Sequence, residues 1–314
     1  MTTLTHRPLV ERADEIEDFT TESIWRVTMR RLFKHPSAMV GMVILGFLVL
    51  VAIFAPLLAP YNPELPLIGI EQVRGREKPC IHALGCDPAK PEHFMGIDGN
   101  VRDQYSRVIY GARVSLLIGF STVSFAIVIG VTLGALAGYF GGKWEDIIMR
   151  SMDVLLAFPA LLLAIAIVAV LGPGLRNALI AVGIVSIPAY ARITRASVLS
   201  LKGQDFVAAS HALGAGHIRI LTTRILPNSL APLIVQATLG IAAAIIDAAA
   251  LSFLGFGAQP PTPEWGAMLG GERNQIFSAP HLVFFPGLAI SITVLAFNLL
   301  GDGLRDALDP RLKR

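Results

Sequence analysis

The sequence predicts an all-α integral membrane protein with six transmembrane helices. Hydrophobic residues make up 54% of the 314 positions and charged residues only 16%, which lies outside the usual composition of soluble domains. The charges fall in clusters, and most of the apolar runs between them approach or exceed the ~20 residues that a helix needs to cross a bilayer. These two observations define the fold class.

Six apolar runs follow one another along the chain. The first begins after a mixed-charge tail, whereas a signal peptide would have an apolar run of about 7 to 15 residues near its start. The fourth is the shortest and contains Pro188, which membrane helices tolerate when neighbouring helices satisfy the freed carbonyl. The predicted spans are 39–59, 114–140, 154–175, 179–193, 230–256 and 282–300.

Lys and Arg residues in the short flanks predict the orientation of the spans. Basic clusters precede span one, join spans two and three, join spans four and five, and follow span six, so six crossings place all of them on one side. By the positive-inside rule both termini are cytoplasmic. The prediction therefore comprises a cytoplasmic tail 1–38, an external loop 60–113, a membrane core 114–300 with a cytoplasmic hairpin 205–228, and a cytoplasmic tail 301–314.

Charge also indicates the surroundings of the chain. The net charge of +3 follows from the basic cytoplasmic clusters, and no basic patch interleaved with aromatic residues indicates a nucleic-acid partner. The N-terminal tail begins acidic and becomes basic, with apolar residues interleaved. It is either an amphipathic helix on the inner leaflet or a solvated tail.

The external loop contains the two cysteines of the chain, Cys80 and Cys86, in the sequence CIHALGC. Thiols on the outer face of a membrane oxidise, so this spacing predicts a disulfide that closes a short loop. A metal site that includes His82 is the alternative, but two cysteines and one histidine leave the fourth ligand unnamed.

The connection between spans four and five predicts a helix, a turn and a second helix. Good helix formers after Asp205 are interrupted by Gly214 and Gly216, and the second helix is expected to end at Pro227. The small residues 208–210 leave a shallow surface that fits the groove of another protein. A connecting loop without such a role is usually shorter, so we expect a docking element.

This segment resembles the coupling motif of permease subunits in binding-protein-dependent ABC importers. The motif reads Glu-Ala-Ala, three residues, Gly, nine residues, a hydrophobic residue, any residue, Leu-Pro. The matching residues are Ala209, Gly214, Leu226 and Pro227. The residues that differ are Ala208 in place of Glu, Ser210 in place of Ala, and Arg224 in place of the hydrophobic residue. The resemblance implies a helix that docks into an ATPase groove without the salt bridge that Glu would supply.

Three further stretches extend the resemblance from span one to the C-terminus. MGIDGNVRDQYSRVIYGARVSL, LSFLGFGAQPPTPEWGAMLGG and LGDGLRDALDPRLKR are similar to the second, C-type permease of oligopeptide, dipeptide and nickel importers. Val101 replaces a glycine that is common in the first stretch, so we expect a different turn there.

The resemblance implies a pore in the bacterial cytoplasmic membrane, shared with a second, homologous permease. It also implies two ABC ATPase subunits, separate or fused, and an extracytoplasmic binding protein. The substrate is then a dipeptide or oligopeptide, with nickel or another small solute as the alternative.

The energy source must lie outside this chain. No Gly-x-x-x-x-Gly-Lys-Ser/Thr phosphate loop is present, so we expect no cofactor on this chain and expect partner subunits to bind ATP and Mg²⁺. An intramembrane enzyme is one alternative, but His211 and His217 lie about 240° apart on a single helix and should not converge. A carrier that works without an ATPase is the other, and it should show more intramembrane charges.

Polar residues within span five are candidates for the translocation path. Asp247 costs about 2.5 to 3.5 kcal/mol at a helix centre, so it should face protein or water. With Gln236, about three turns earlier, it either lines the pore or bonds a neighbouring helix.

Glycines repeat at every fourth residue through the end of span two. Gly130, Gly134, Gly138 and Gly142 share one helix face and predict close helix packing.

Overall fold

A computed structural model describes residues 29–308 of the chain. Most of the predicted amphipathic tail and residues 309–314 therefore lie outside the described residues. In the described range the regular secondary structure is helical, with three isolated β-bridges in the loop at residues 60–103 and no β-strand. Five of its helices are long and apolar enough to cross a membrane, and a bent pair adds a sixth crossing when it is counted as one span.

The helices are numbered here in chain order. They are α1 Pro36–Ile53, α2 Ala55–Leu58, α3 Gln104–Phe140, α4 Gly142–Leu156, α5 Ala160–Leu171, α6 Leu175–Lys202, α7 Asp205–Ala212, α8 His217–Ile220, α9 Leu226–Asn228, α10 Leu230–Phe253, α11 Trp265–Glu272 and α12 His281–Leu308. One π-helical turn, Leu221–Ile225, joins α8 to α9, and two 3₁₀ turns, His82–Leu84 and Arg273–Gln275, lie outside the spans.

Helix α3 starts ten residues before the predicted second span, within the segment that was expected to be external loop. Its N-cap is Asp103, whose carboxylate accepts the backbone N–H of Ser106 at 2.7 Å. Arg107 made this part of the chain look like a loop, but its side chain is buried and donates to the carbonyl oxygens of Pro63 and Pro261.

The glycine repeat brings α3 into close contact with α6, as predicted. A Cβ atom on Gly130 would lie 2.7 Å from Cβ of Tyr190, and one on Gly138 would lie 2.9 Å from Cβ of Val198. A Cβ atom on Gly134 would meet the carbonyl oxygen of Ala191. Gly142 is the exception, because it begins α4 and faces open space.

The prediction of one continuous third span over 154–175 is wrong. The helix breaks at residues 157–159, and α4 and α5 meet at an angle of 93°. Pro159 explains the break, since proline lacks a backbone N–H and the residue before it avoids the helical conformation. Helix α5 has 12 residues and a length of about 18 Å, too short to cross ~30 Å of hydrocarbon alone.

Other span boundaries also differ from the predictions. Helix α1 ends at Ile53, and α2 follows in place of the last turns of the predicted first span. Pro188 lies inside α6, which has 28 residues and is much longer than the predicted fourth span. Helix α12 continues through Leu308, so the segment after residue 300 is not a separate tail up to that point.

The bundle has two distinct ends. At the hairpin end, which carries residues 203–229, Nε2 of His35 lies 3.1 Å from Oδ2 of Asp306. At the loop end, which carries residues 60–103, the Gln104 side chain donates to the carbonyl oxygen of Leu282. The first and last described helices therefore have their outer ends on the same side, as six crossings require. That this side is cytoplasmic stays a prediction.

The external loop is tied to α3 through a buried histidine. His93 forms a backbone bridge with Cys80, and Cys80 is joined to Cys86 by a disulfide with Cα atoms 5.4 Å apart. In the His93 ring, Nδ1 lies 2.8 Å from Oδ1 of Asp103 and Nε2 lies 3.0 Å from Oε2 of Glu71. Burial lowers the pKa of His93, but the hydrogen bonds and negative charges of the two carboxylates outweigh it and raise the pKa above its ordinary value.

The alternative of a metal site at the cysteines receives no support from the described chain. The His82 ring lies 2.8 Å from the carbonyl oxygen of Lys90. Among residues 29–308, no three His, Cys, Asp or Glu side chains are grouped so that they could hold a metal ion.

Candidate functional site

The first hairpin helix, α7, ends in a glycine-dependent cap. Gly214 has φ +78°, the left-handed conformation that glycine adopts without strain, as expected for its position after the helix. The N–H of Gly214 donates to the carbonyl oxygen of His211 at 2.9 Å, and the N–H of Ala215 donates to that of Ser210 at 3.1 Å. This pair of bonds is the Schellman motif, which fixes the direction in which the chain leaves the helix.

Helix α7 has one buried side chain and a surface of small residues. Val207 is buried against the bundle, whereas Asp205, Ala208 and Ala209 are exposed. The Ser210 hydroxyl donates to the carbonyl oxygen of Phe206 at 2.7 Å, so this polar group is satisfied within the helix. The surface at Ala208 and Ala209 is therefore shallow.

The second part of the hairpin does not end at Pro227 as predicted. Helix α8 passes through the π-helical turn into α9, which contains Leu226 and Pro227 and ends at Asn228. Ile220 and Ile225 are fully buried and anchor this segment in the bundle. Arg224, which stands where the coupling motif has a hydrophobic residue, is exposed.

A cleft lies between the two parts of the hairpin. Its walls include Ser210, Gly214 and Arg224. Leu213 and Ile218 flank the turn and are 88% and 75% exposed. Two large apolar side chains without cover, beside a cleft with cationic walls, indicate a contact surface for another protein.

Two histidines of the hairpin converge on α3, contrary to the expectation that they would lie apart. The ring centroids of His211 and His217 are 5.2 Å apart. The Tyr139 hydroxyl lies 2.9 Å from Nδ1 of His217 and 3.5 Å from Nε2 of His211. The expectation placed both histidines on one helix, but the turn at Gly214 folds the second back beside the first.

Tyr139 and its neighbour Lys202 were not singled out from the sequence. The Lys202 ammonium donates to the carbonyl oxygen of Tyr139, so the end of α6 also contacts the end of α3. The sequence features that could have identified these contacts were the polar residues at the end of span two and the turn within the hairpin. The histidine contacts therefore join the hairpin to α3, and the Lys202 contact joins α3 to α6.

The polar residues of α10 lie along one helix face. Gln236 and Asp247 are eleven residues apart, close to three full turns, and both side chains are partly exposed. Within residues 29–308 the Asp247 carboxylate has no hydrogen-bond or ion-pair partner, which does not favour a bond to a neighbouring helix. Gln236 lines a cleft at the hairpin end together with Arg305.

Comparison with known proteins assigns the family. Residues 130–314, which include the hairpin, match the family described as binding-protein-dependent transport system inner membrane component. The chain belongs to this family. Residues 23–77 also match the N-terminal transmembrane domain of oligopeptide transport permease C, so the chain is a C-type permease subunit.

Relatives of the permease are similar over nearly its whole length. It is 48% identical to the dipeptide transport system permease protein DppC of Alkalihalophilus pseudofirmus, over 95% of this chain and 93% of the relative. It is 50% identical to the di/tripeptide transport system permease protein DppC of Pseudomonas aeruginosa, over 90% of each chain. It is 45% identical to the glutathione transport system permease protein GsiD of Pectobacterium atrosepticum, over 95% of each.

The fold of the permease also matches a solved transporter. Inward-facing structures of the MetNI methionine ABC transporter superpose with TM-scores of 0.54 and 0.52 at 20% identity. They cover 65% and 64% of this chain and 96% of the matched chain in both cases. At this identity the match shows a shared fold.

Proposed function

We propose that this permease forms half of the pore of a bacterial ABC importer for small peptides. A second, homologous permease forms the other half, and an extracytoplasmic binding protein delivers the peptide. Two ABC ATPase subunits, separate or fused, bind ATP and Mg²⁺ on the cytoplasmic side, where both termini of this chain lie. The relatives named for dipeptide, di/tripeptide and glutathione transport support peptides as the substrate class.

The observation that carries the proposal is the construction of the hairpin. Its exposed surface consists of small residues beside two uncovered apolar side chains, and its buried side is bonded to α3 through Tyr139. A partner seated on this surface would move the hairpin, and the hairpin would move the bundle. The ATPase groove is the partner that the coupling motif implies.

Energy transfer in this arrangement is mechanical. Closure of the ATPase pair around ATP would displace the two hairpins of the permease pair and rock the spans, so that the pore opens alternately to each side. The ATPases can shift the pore between its two states only if their contacts with one state are more favourable than their contacts with the other. Gln236 and Asp247 lie on the exposed face of α10 that we assign to the pore.

The proposal is tested by reconstituting the complete complex in proteoliposomes with its binding protein. Uptake and ATP hydrolysis are measured with dialanine, trialanine, glutathione and Ni²⁺ as alternative substrates. We expect uptake of at least one peptide, dependent on ATP and accompanied by faster hydrolysis. Uptake of Ni²⁺ alone would contradict the peptide assignment, and uptake without ATPase subunits would indicate a carrier.

A further inference from the structure

A small polar cavity lies at the loop end of the bundle, away from the hairpin and from the pore residues of α10. It has a volume of about 170 Å³ and separates the turn at residues 98–102 from α11. Three guanidinium groups and two carboxylates lie in its walls. These groups belong to Arg76, Arg102, Arg107, Asp98 and Glu272.

The carboxylate of Asp98 is already satisfied by its own surroundings. Its Oδ1 accepts the backbone N–H groups of Asn100 and Arg102 at 2.9 and 2.8 Å. Its Oδ2 accepts Nε–H of Arg102 at 2.7 Å and lies 3.4 Å from Nε of Arg107. Asp98 therefore stabilises the turn at residues 98–102 and contacts the Nε edge of the Arg102 and Arg107 guanidinium groups.

Glu272 is satisfied in the same way from the opposite wall. Its Oε1 accepts the backbone N–H of Gly99 at 2.9 Å, and its Oε2 accepts Nε–H of Arg76 at 3.0 Å. Both carboxylates are thus occupied. The cavity walls contain three guanidinium groups and two carboxylates, and the charge of Glu64, outside the walls, also acts on Arg107.

Arg102 has side-chain donors that the protein itself does not use. A guanidinium has five N–H donors and no acceptor, and Arg102 uses only Nε for its side-chain bond. Its two Nη groups have no acceptor within residues 29–308, although Arg102 is only 8% exposed. These Nη groups are not among the buried side-chain atoms that lack a partner, so they remain accessible to an acceptor that enters the cavity.

We propose that this cavity binds a carboxylate group and, resting on the proposed peptide function, that the carboxylate is the C-terminus of the transported peptide. The planar fork of a guanidinium matches a carboxylate in two parallel hydrogen bonds. Sites that enclose whole small molecules measure about 300 to 1,000 Å³, so this cavity accepts one end of a peptide and leaves the rest outside.

The test uses the assembled permease pair with its ATPases in nanodiscs, without the separate binding protein. Binding of dialanine, dialanine amide and acetate is measured by calorimetry and saturation-transfer NMR. We expect dialanine to bind, the amide to bind at least about tenfold more weakly because it lacks the negative charge, and acetate to compete with dialanine.

Two matched variants locate the binding. Asn100 lines the cavity and its side chain has no hydrogen bond within residues 29–308, so Asn100→Asp adds a negative charge there without removing a bond. We expect it to weaken dialanine binding at least about tenfold. Asn62→Asp makes the same charge change outside the cavity and keeps the acceptor for the N–H of Glu64, so it should weaken dialanine binding less than Asn100→Asp does.

The outcomes separate this inference from the proposed function. Equal binding of dialanine and its amide, or equal effects of the two variants, would overturn the carboxylate site. Acetate binding without dialanine binding would overturn the peptide assignment. Peptide uptake by the complete complex with no binding in this assay would leave the proposed function standing and refute the cavity, whereas carboxylate binding without any peptide uptake would refute the function.

Discussion

The hydroxyl of Tyr139 lies 2.9 Å from Nδ1 of His217, and this hydrogen bond joins the last turn of α3 to the second part of the hairpin. Helix α3 reaches from this point to the loop end, where Gln104 bonds α12. In the proposed mechanism, this contact would transmit a displacement of the hairpin to a helix that spans the whole bundle.

Removing this bond should weaken coupling and leave assembly intact. Tyr139→Phe deletes a contribution of ~1 kcal/mol, which corresponds to about a fivefold change in an equilibrium between hairpin positions. We expect less substrate transported per ATP hydrolysed, measured by both rates in proteoliposomes. Tyr110→Phe, on the same helix and without a hydrogen bond from its hydroxyl within residues 29–308, serves as the control. Equal transport per ATP in both variants would contradict this role for Tyr139.

Close packing of α3 on α6 should not tolerate a side chain at Gly134. Its Cβ would meet the carbonyl oxygen of Ala191, and overpacking of this kind costs about 1 to 3 kcal/mol. Gly134→Val should therefore lower the thermal unfolding temperature of the purified complex. Gly46→Val introduces the same residue into α1 where the space is open, and should change that temperature little. A similar decrease in the unfolding temperature of both variants would show that the effect comes from valine itself and not from the contact with α6.

The external loop should lose stability as the pH rises. His93 has a raised pKa in the folded state, so its charged contacts contribute fully below the ordinary histidine pKa of about 6.5 and are lost as the pH passes the folded value. The difference in unfolding temperature between the wild type and His93→Gln should therefore narrow as the pH increases from 6. His82→Gln, whose ring contacts only a backbone carbonyl, is the control. If the difference in unfolding temperature widened with pH, the fold would favour the neutral form of His93, which would contradict the raised pKa.

Val101 should be replaceable by glycine with a gain in stability. Its φ of +60° is a strained conformation for a β-branched residue, and the left-handed region costs about 1 to 2 kcal/mol for residues with a side chain. The turn expected to differ at this position instead keeps a conformation that suits glycine. We expect Val101→Gly to raise the unfolding temperature of the complex, and an unchanged or lower value would show that the strain is relieved elsewhere.

Hydropathy predicted six spans, and the structure has five single candidate spans and a bent pair; the geometry of the third predicted span did not follow from hydropathy. The apolar run at 154–175 satisfies the length criterion, yet the helix breaks at residues 157–159 with a bend of 93°, next to Pro159, which a hydropathy count does not weigh. The early start of α3 could not be predicted from hydropathy either. Arg107 reads as a loop residue because its carbonyl partners, Pro63 and Pro261, are remote in sequence.

Local rules succeeded where the structure depends on one residue and its neighbours. The left-handed conformation of Gly214 and the packing of the glycine repeat both follow from the missing Cβ. Contacts between distant segments were not predictable from composition or spacing. The approach of His211 to His217, and the cluster around His93, require the fold that brings those segments together.

The central claim is that the hairpin couples ATP hydrolysis to transport, and Gly214 tests it most directly. Within residues 29–308, no atom beyond Gly214 and its two chain neighbours lies within 4 Å of a Cβ built on Gly214, so we expect a substitution there to act through its backbone conformation. Asn adopts φ > 0 at little cost, whereas a β-branched residue such as valine is strained there. The measurement compares peptide uptake and peptide-stimulated ATP hydrolysis in Gly214→Val and Gly214→Asn, each normalised to assembled permease. We predict near-normal membrane levels for both, retained activity for Gly214→Asn, and loss of uptake and stimulated hydrolysis for Gly214→Val. Full transport by Gly214→Val would contradict the account.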